Sequence, residues 1–148
     1  MGLEPALGAA ALPHIGDYPV GSPKRVDSET NTLDVTPGLP LPHVRSFLRD
    51  IDGHLPEPTR EGLALATTEV VSNAMRHGEH PIRVGVSWLA GTARVVVRSG
   101  GRGFAWHGRP ALAAERGGWG LVIVDRVADR WGIRRVEDSN EVWFELDH

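Results

Sequence analysis

Ile82-Arg83-Val84-Gly85-Val86-Ser87-Trp88-Leu89-Ala90-Gly91-Thr92-Ala93-Arg94-Val95-Val96-Val97-Arg98 reads as two strands joined by a turn. Ile82, Val84, Val86 and Trp88 alternate with Arg83, Gly85 and Ser87. After Ala90-Gly91, Ala93, Val95 and Val97 alternate with Arg94, Val96 and Arg98. A period of two puts one set on a buried face of a sheet and the other set on the opposite face. Strands joined by so short a turn are antiparallel neighbours. That excludes a doubly wound nucleotide fold, which is built from strand–helix–strand crossovers.

Working outward, helices flank this hairpin on both sides. Towards the N-terminus, Leu63, Ala66, Val70 and Ala74 form one apolar row, widened by Val71 and Met75. The spacing predicts a helix from about Thr59 to His77, with Arg76 and His77 favouring its negative end and Gly78 supplying the stop. Before it, Leu41, Val44, Leu48, Ile51 and Leu55 recur at steps of three and four, with Phe47 alongside and Pro42 in the first turn. They predict another amphipathic helix. Leu33-Asp34-Val35, closed by Pro37-Gly38, is a short strand. Residues 1–30 show neither period and are expected to be a flexible tail, leaving 31–148 as the folded domain.

Beyond the hairpin, glycines run from Gly100 to Gly120. Leu121, Val124, Ala128 and Trp131 then predict a third helix, stopped by Gly132. Strands at Ile133–Val136 and Glu141–Leu146 close the chain, joined by Asp138-Ser139-Asn140. In the last strand Val142, Phe144 and Leu146 face one way and Trp143 and Glu145 the other. No internal repeat is present. Alternating strands need one covered face, and three amphipathic helices are available to cover it. The expected architecture is α/β in the α+β sense: a two-layer sandwich with a mixed, mostly antiparallel sheet covered on one face by three helices.

Composition narrows the function classes. The chain has 148 residues, a formal net charge of −3 and no cysteine. It therefore has no disulfide, thiol nucleophile or thiolate metal site, and a cytoplasmic setting is expected. A slightly acidic balance argues against direct nucleic-acid binding, and no apolar run reaches the roughly 20 residues of a membrane-spanning helix. Met1-Gly2-Leu3-Glu4-Pro5 lacks the basic start of a signal peptide. Basic charge is almost wholly arginine, Lys24 being the one lysine.

Three segments carry residue types suited to chemistry. Glu69 and Asn73 are one helical turn apart and project from the same face, followed by Arg76 and His77. A carboxylate can accept a proton, and an amide oxygen is a hard ligand for Mg²⁺. Ser99-Gly100-Gly101-Arg102-Gly103 carries a strand straight into glycines, where a flat ligand can approach the backbone. Gly117-Gly118-Trp119-Gly120-Leu121 opens a helix, whose free N–H groups suit an anion. Taken singly, each has a plain structural reading: a solvated helix edge, a turn, a flexible loop. His77-Gly78-Glu79-His80 holds metal-ligand types, but Gly78 breaks the helix between the histidines and their shared face is lost. Without a G-x-S-x-G elbow, the serines support no hydrolase triad.

The three segments occur in order, on helix, strand-to-loop and loop-to-helix. In this the sequence resembles the histidine-kinase-like ATPases of the GHKL or Bergerat fold, and within them the anti-sigma-factor serine/threonine kinases. Glu69-x-x-x-Asn73 with Ala74-x-x-His77-Gly78, Gly101-x-Gly103-Phe104, and Gly118-x-Gly120-Leu121-x-Ile123-Val124 resemble the family's N, G1 and G2 boxes. The resemblance covers roughly Leu33 to Leu146.

The resemblance implies an ATP-binding regulatory protein that sequesters a sigma factor and phosphorylates an anti-anti-sigma antagonist, with ATP and Mg²⁺ as cofactors and a homodimer as its working form. Asn73 would hold Mg²⁺, and Glu69 would be the catalytic base. His77, Ser99, Gly101 and Gly103 would lie at the nucleotide, residues 105–117 would form a mobile lid, and Gly118, Gly120 and Leu121 would offer N–H groups to the phosphates. Arg116 is either a phosphate partner or an exposed lid arginine, and Trp119 packs over the nucleotide or a partner. One position departs from the pattern. The family's G1 aspartate is here Ser99, which carries no charge and accepts a weaker bond from adenine. Arg98 and Arg102 are expected to add positive charge near the pocket in compensation. The departure opens an alternative: a non-catalytic protein-binding module of the same fold, with weak or absent nucleotide binding.

Overall fold

The computed structural model describes residues 31–51, 55–101 and 119–148. Five strands form one sheet: β1 (Asn31–Val35), β2 (Glu79–Leu89), β3 (Thr92–Gly100), β4 (Arg130–Val136) and β5 (Ser139–Asp147), in the order β1-β2-β3-β5-β4. Among the described residues three helices accompany it: α1 (Leu41–Ile51), α2 (Glu57–His77) and α3 (Trp119–Val127). The two-layer architecture is as the sequence predicts. Every strand pair is antiparallel, so the sheet is uniform where a mixed one was expected.

The central hairpin sets the register. Val84 lies opposite Val97 and Val86 opposite Val95. On the far side of β3, Val95 meets Phe144 and Val97 meets Val142. These residues, with Leu33 and Val35 of β1 and Trp131 and Ile133 of β4, make one apolar face. Val44 and Leu48 of α1, Leu63, Ala66, Val70, Val71 and Ala74 of α2, and Leu121 and Val124 of α3 cover it. Leu55 is buried in the same cluster but follows α1 rather than belonging to it. Full burial of a valine or leucine side chain contributes about 1.5–3 kcal/mol, so this layer dominates the stability of the fold.

The last helix ends earlier than its periodicity suggests. Trp131 continues the apolar spacing of α3, with Gly132 as the expected stop, yet the helix ends at Val127 and β4 begins at Arg130. Two contacts decide this. Trp131 stands opposite Phe144 on the covered face, and Gly132 stands opposite Trp143 on the other. A Cβ on Gly132 would sit 2.8 Å from Trp143 Nε1, so the glycine provides the surface on which the indole lies. Cross-strand packing outweighs the helical period there.

The face of the sheet away from the helices is held by charge. Glu141, fully buried, accepts hydrogen bonds from Arg98 Nη2 at 2.7 Å and Arg134 Nε at 2.6 Å. Arg94, also buried, lies 3.7 Å from Glu145 and 5.2 Å from the Trp143 ring centre. Burial lowers the Arg94 pKa, a shift that Glu145 opposes. Arg130 bonds Glu145 at 2.7 Å and Asp147 at 3.0 Å, which raises its pKa. Arg98 therefore does not compensate for Ser99 as expected. Successive strand residues point to opposite faces, and Arg98 turns away from the helices to Glu141.

Candidate functional site

The covered face changes character towards one end. On β3, β5 and β4, Val97, Val142 and Ile133 form its last apolar row, and the next row, beginning opposite the buried Ile82 of β2, reads Ser99, Asn140 and Arg135. Side chains on one face recur every second residue, so these three sit side by side at the margin of the core. The C-terminal end of α2 comes down at the same margin.

A glycine fixes that approach. Gly78 caps α2 and donates its N–H to Ala74 O at 2.8 Å. Its backbone is ordinary, with φ −95°, so no unusual dihedral demands glycine there. The demand is steric: a Cβ would sit 2.8 Å from both Ser99 Oγ and Ala74 O. Ser99 is 4% exposed and packs directly against the end of α2. Sequence-predicted residues from the helix and from the strand-to-loop segment are brought together by this contact.

Along α2, Glu69 is half-buried, Asn73 is buried at 4% exposure, and Arg76 and His77 are exposed. Arg76 Nη2 donates to Ser72 Oγ at 3.3 Å and to Asn73 Oδ1 at 3.4 Å. Both bonds are long, and their donor sits on an exposed side chain. The Asn73 oxygen is thus a buried, neutral, hard donor held by a contact that a cation can displace. That donor chemistry fits Mg²⁺, which takes one or two protein oxygens and completes its shell with phosphates and water. Among the described residues no group of three or more His, Asp or Glu could itself cage a metal.

The β3 end continues into Gly100 and Gly101. Gly101 has φ +86°, a conformation that favours glycine, and a Cβ there would meet Glu79 Cγ at 3.0 Å. Its carbonyl accepts from Arg135 Nη1 at 3.0 Å and from Asn140 Nδ2 at 3.1 Å. Asn140 Nδ2 also reaches Gly100 O at 3.3 Å, and Arg135 Nη1 bonds Asn140 Oδ1 at 2.9 Å. Sequence reasoning gives neither side chain a role: it places Arg135 inside the strand Ile133–Val136 and Asn140 in the turn that follows. The signal was available: counting back by twos from Val142 and Ile133 puts Asn140 and Arg135 on the covered face.

The third segment is partly described. Trp119 opens α3, Gly120 follows it, and Leu121, 1% exposed, anchors the first turn. α3 lies along α2 so closely that a Cβ on Gly62 would sit 2.9 Å from Val127 Cγ1. The first turn of α3 has N–H groups without partners inside the helix, as any helix start does. Gly103, Arg116, Gly118, Arg102, the 105–117 lid and the 1–30 tail lie outside the described residues. No helix among the described residues is long and apolar enough to cross a membrane.

Comparison with known proteins agrees with the fold. A solved structure of the RsbU and RsbW domains of Rv1364c from Mycobacterium tuberculosis superposes with a TM-score of 0.60 and 18% sequence identity, a likeness of fold. It covers 81% of this chain and 32% of the other, so this protein spans about a third of the length of the chain it matches. No curated protein matches. The family model of the histidine kinase-like ATPase domain matches residues 36–146, from the turn after β1 to the end of β5, and the chain belongs to that family.

Proposed function

We propose that this protein binds Mg·ATP and acts as a cytoplasmic anti-sigma-factor kinase, sequestering a sigma factor and phosphorylating a serine or threonine of an antagonist protein. The observation that carries the reading is that α2, which bears Glu69 and Asn73 one turn apart, packs its C-terminal Gly78 against Ser99 at the end of β3, two residues before Gly101. A purely structural domain has no physical need for a half-buried carboxylate one turn from a buried amide oxygen. Partner exchange through protein surfaces also suits a chain of net charge −3, which has little attraction for DNA. A homodimer is the proposed working form.

The chain's residues divide the work as phosphoryl transfer requires, by positioning and charge stabilisation. Asn73 Oδ1 would hold Mg²⁺ in place of its long contact with the exposed Arg76. When bound, the cation offsets the negative charge of the phosphates. Gly101 and Gly103 shape the base pocket, Ser99 accepts a hydrogen bond from the adenine amino group, and His77 borders the nucleotide. Gly118, Gly120 and Leu121 present N–H groups to the phosphates. Glu69 takes the proton of the acceptor hydroxyl. The new P–O bond forms to that oxygen, the bond to the β-phosphate oxygen breaks, and ADP leaves.

Thermal unfolding with Mg·ATP tests the reading. Ligand at about 100 times its dissociation constant should stabilise the protein by about 2.7 kcal/mol, a shift of several degrees in Tm. Asn73→Ala should remove the Mg²⁺ dependence of that shift. Glu69→Ala should keep the shift and lose phosphoryl transfer. Ser99 favours a second reading, a protein-binding module of the same fold without catalysis. An unshifted Tm at millimolar Mg·ATP would select it.

A further inference from the structure

Arg135 and Asn140 face each other across β4 and β5, and Asn140 faces Ser99 across β5 and β3. Neither belongs to the three segments that carry the family resemblance. Their side chains nevertheless converge on the backbone where β3 turns into the glycines. Asn140 Nδ2 spans the carbonyls of Gly100 and Gly101, and Arg135 Nη1 bonds the Gly101 carbonyl and the Asn140 amide oxygen. Each bond supports the next: Arg135 orients the amide so that its NH₂ group points at the two carbonyls. From the other side, the Glu79 side chain fills the space a Cβ on Gly101 would need.

A residue at φ +86° with no side chain has wide freedom unless its surroundings fix it. Here both peptide carbonyls are tied to the last hairpin, and the Cα is backed by Glu79. We propose that Arg135 and Asn140 are positioning residues that clamp Gly100–Gly101 in the conformation the nucleotide base requires. The proposal rests on the nucleotide-binding reading above. It gives the β4–β5 hairpin a task in the site: the clamp preorganises backbone whose ordering would otherwise be charged against binding. It also bears on Ser99. Where the base contact carries no charge, a pocket floor already in place is a second source of affinity.

Asn140→Asp is the sharpest probe, because it keeps the size of the side chain and an acceptor for Arg135 while removing the donor to both carbonyls. Arg135→Ala removes the second donor, and Arg135→Lys restores a cationic donor. Mg·ATP titrated into Asn140→Asp should bind about tenfold more weakly, the loss expected for one or two hydrogen bonds. Amide hydrogen exchange at Gly100 and Gly101 should rise in the free variant, while its Tm without nucleotide stays close to wild type. Arg135→Lys should recover affinity that Arg135→Ala loses. Unchanged affinity in Asn140→Asp and Arg135→Ala, with a wild type that binds, overturns the clamp alone. A wild type that binds no Mg·ATP overturns the underlying functional reading instead. A fall in affinity that merely tracks a fall in Tm marks a structural contact and also overturns the clamp.

Discussion

The two faces of the sheet are built from the same strands by opposite means. On the helix side, Val84, Val86, Val95, Val97, Val142 and Phe144 make a dry layer in which nothing is paired and everything is packed. On the other side, Arg94, Arg98, Arg130 and Arg134 interleave with Glu141, Glu145 and Asp147, and Trp143 lies over Gly132. The first face draws its stability from area removed from water. The second has two charged side chains buried almost completely, and stands only because each has partners. The strand residues of the candidate site sit where β3, β5 and β4 run out of apolar side chains, at the Ser99–Asn140–Arg135 row.

Substitutions can test that contrast, beginning with the largest effect. Phe144 is fully buried on β5, where α2 packs, and Phe144→Ala opens a cavity in the core that should cost about 3–5 kcal/mol in urea unfolding. Glu141→Ala should cost less, about 1–3 kcal/mol, because the arginines left behind are partly exposed and regain water. A loss at Glu141 equal to that at Phe144 would mean that the charged face is as unforgiving as the core. Thr67 gives a finer test. Its hydroxyl is buried on the core side of α2 with no hydrogen-bond partner among the described residues. Thr67→Val should raise stability by about 0.5–1 kcal/mol, since an unpaired polar atom has no place in a packed layer.

The smallest effect lies at the exposed end of the charged face. Hydrogen bonds from Arg130 and then Thr92 hold the Asp147 carboxyl below its ordinary value of 3.8. The folded pKa is depressed, so the stabilisation is present above 3.8 and is lost as pH falls through the folded value. Asp147→Asn should therefore be slightly less stable than wild type at neutral pH and indistinguishable from it in strong acid. A difference that persists at low pH would mean the pair acts through packing rather than charge.

The dry face was legible in the sequence, and the charged face only half so. Alternation through Ile82–Val97 fixes the hairpin and which side chains are buried. It also puts Arg94 on the face opposite the buried one, but alternation does not report whether that face is wet or dry. Burial of a charged residue depends on partners from other strands, Arg98 and Arg134 for Glu141, and no local period reports them. The same limit produced the overlong third helix, because Trp131 keeps helical spacing by coincidence while its partner Phe144 is set by strand register. The site was readable where it lay within one element, as with Glu69 and Asn73. The Gly78–Ser99 contact and the grip of Arg135 and Asn140 on Gly101 join residues 21, 34 and 39 positions apart, and only the fold brings them together.

Titration calorimetry of Mg·ATP into wild type and Asn73→Ala, run side by side with and without Mg²⁺, tests the central claim most directly. The account predicts saturable binding by wild type that strengthens with Mg²⁺, and binding by Asn73→Ala that no longer responds to the cation. No binding by wild type at millimolar Mg·ATP, or an unaltered Mg²⁺ response in Asn73→Ala, would contradict it.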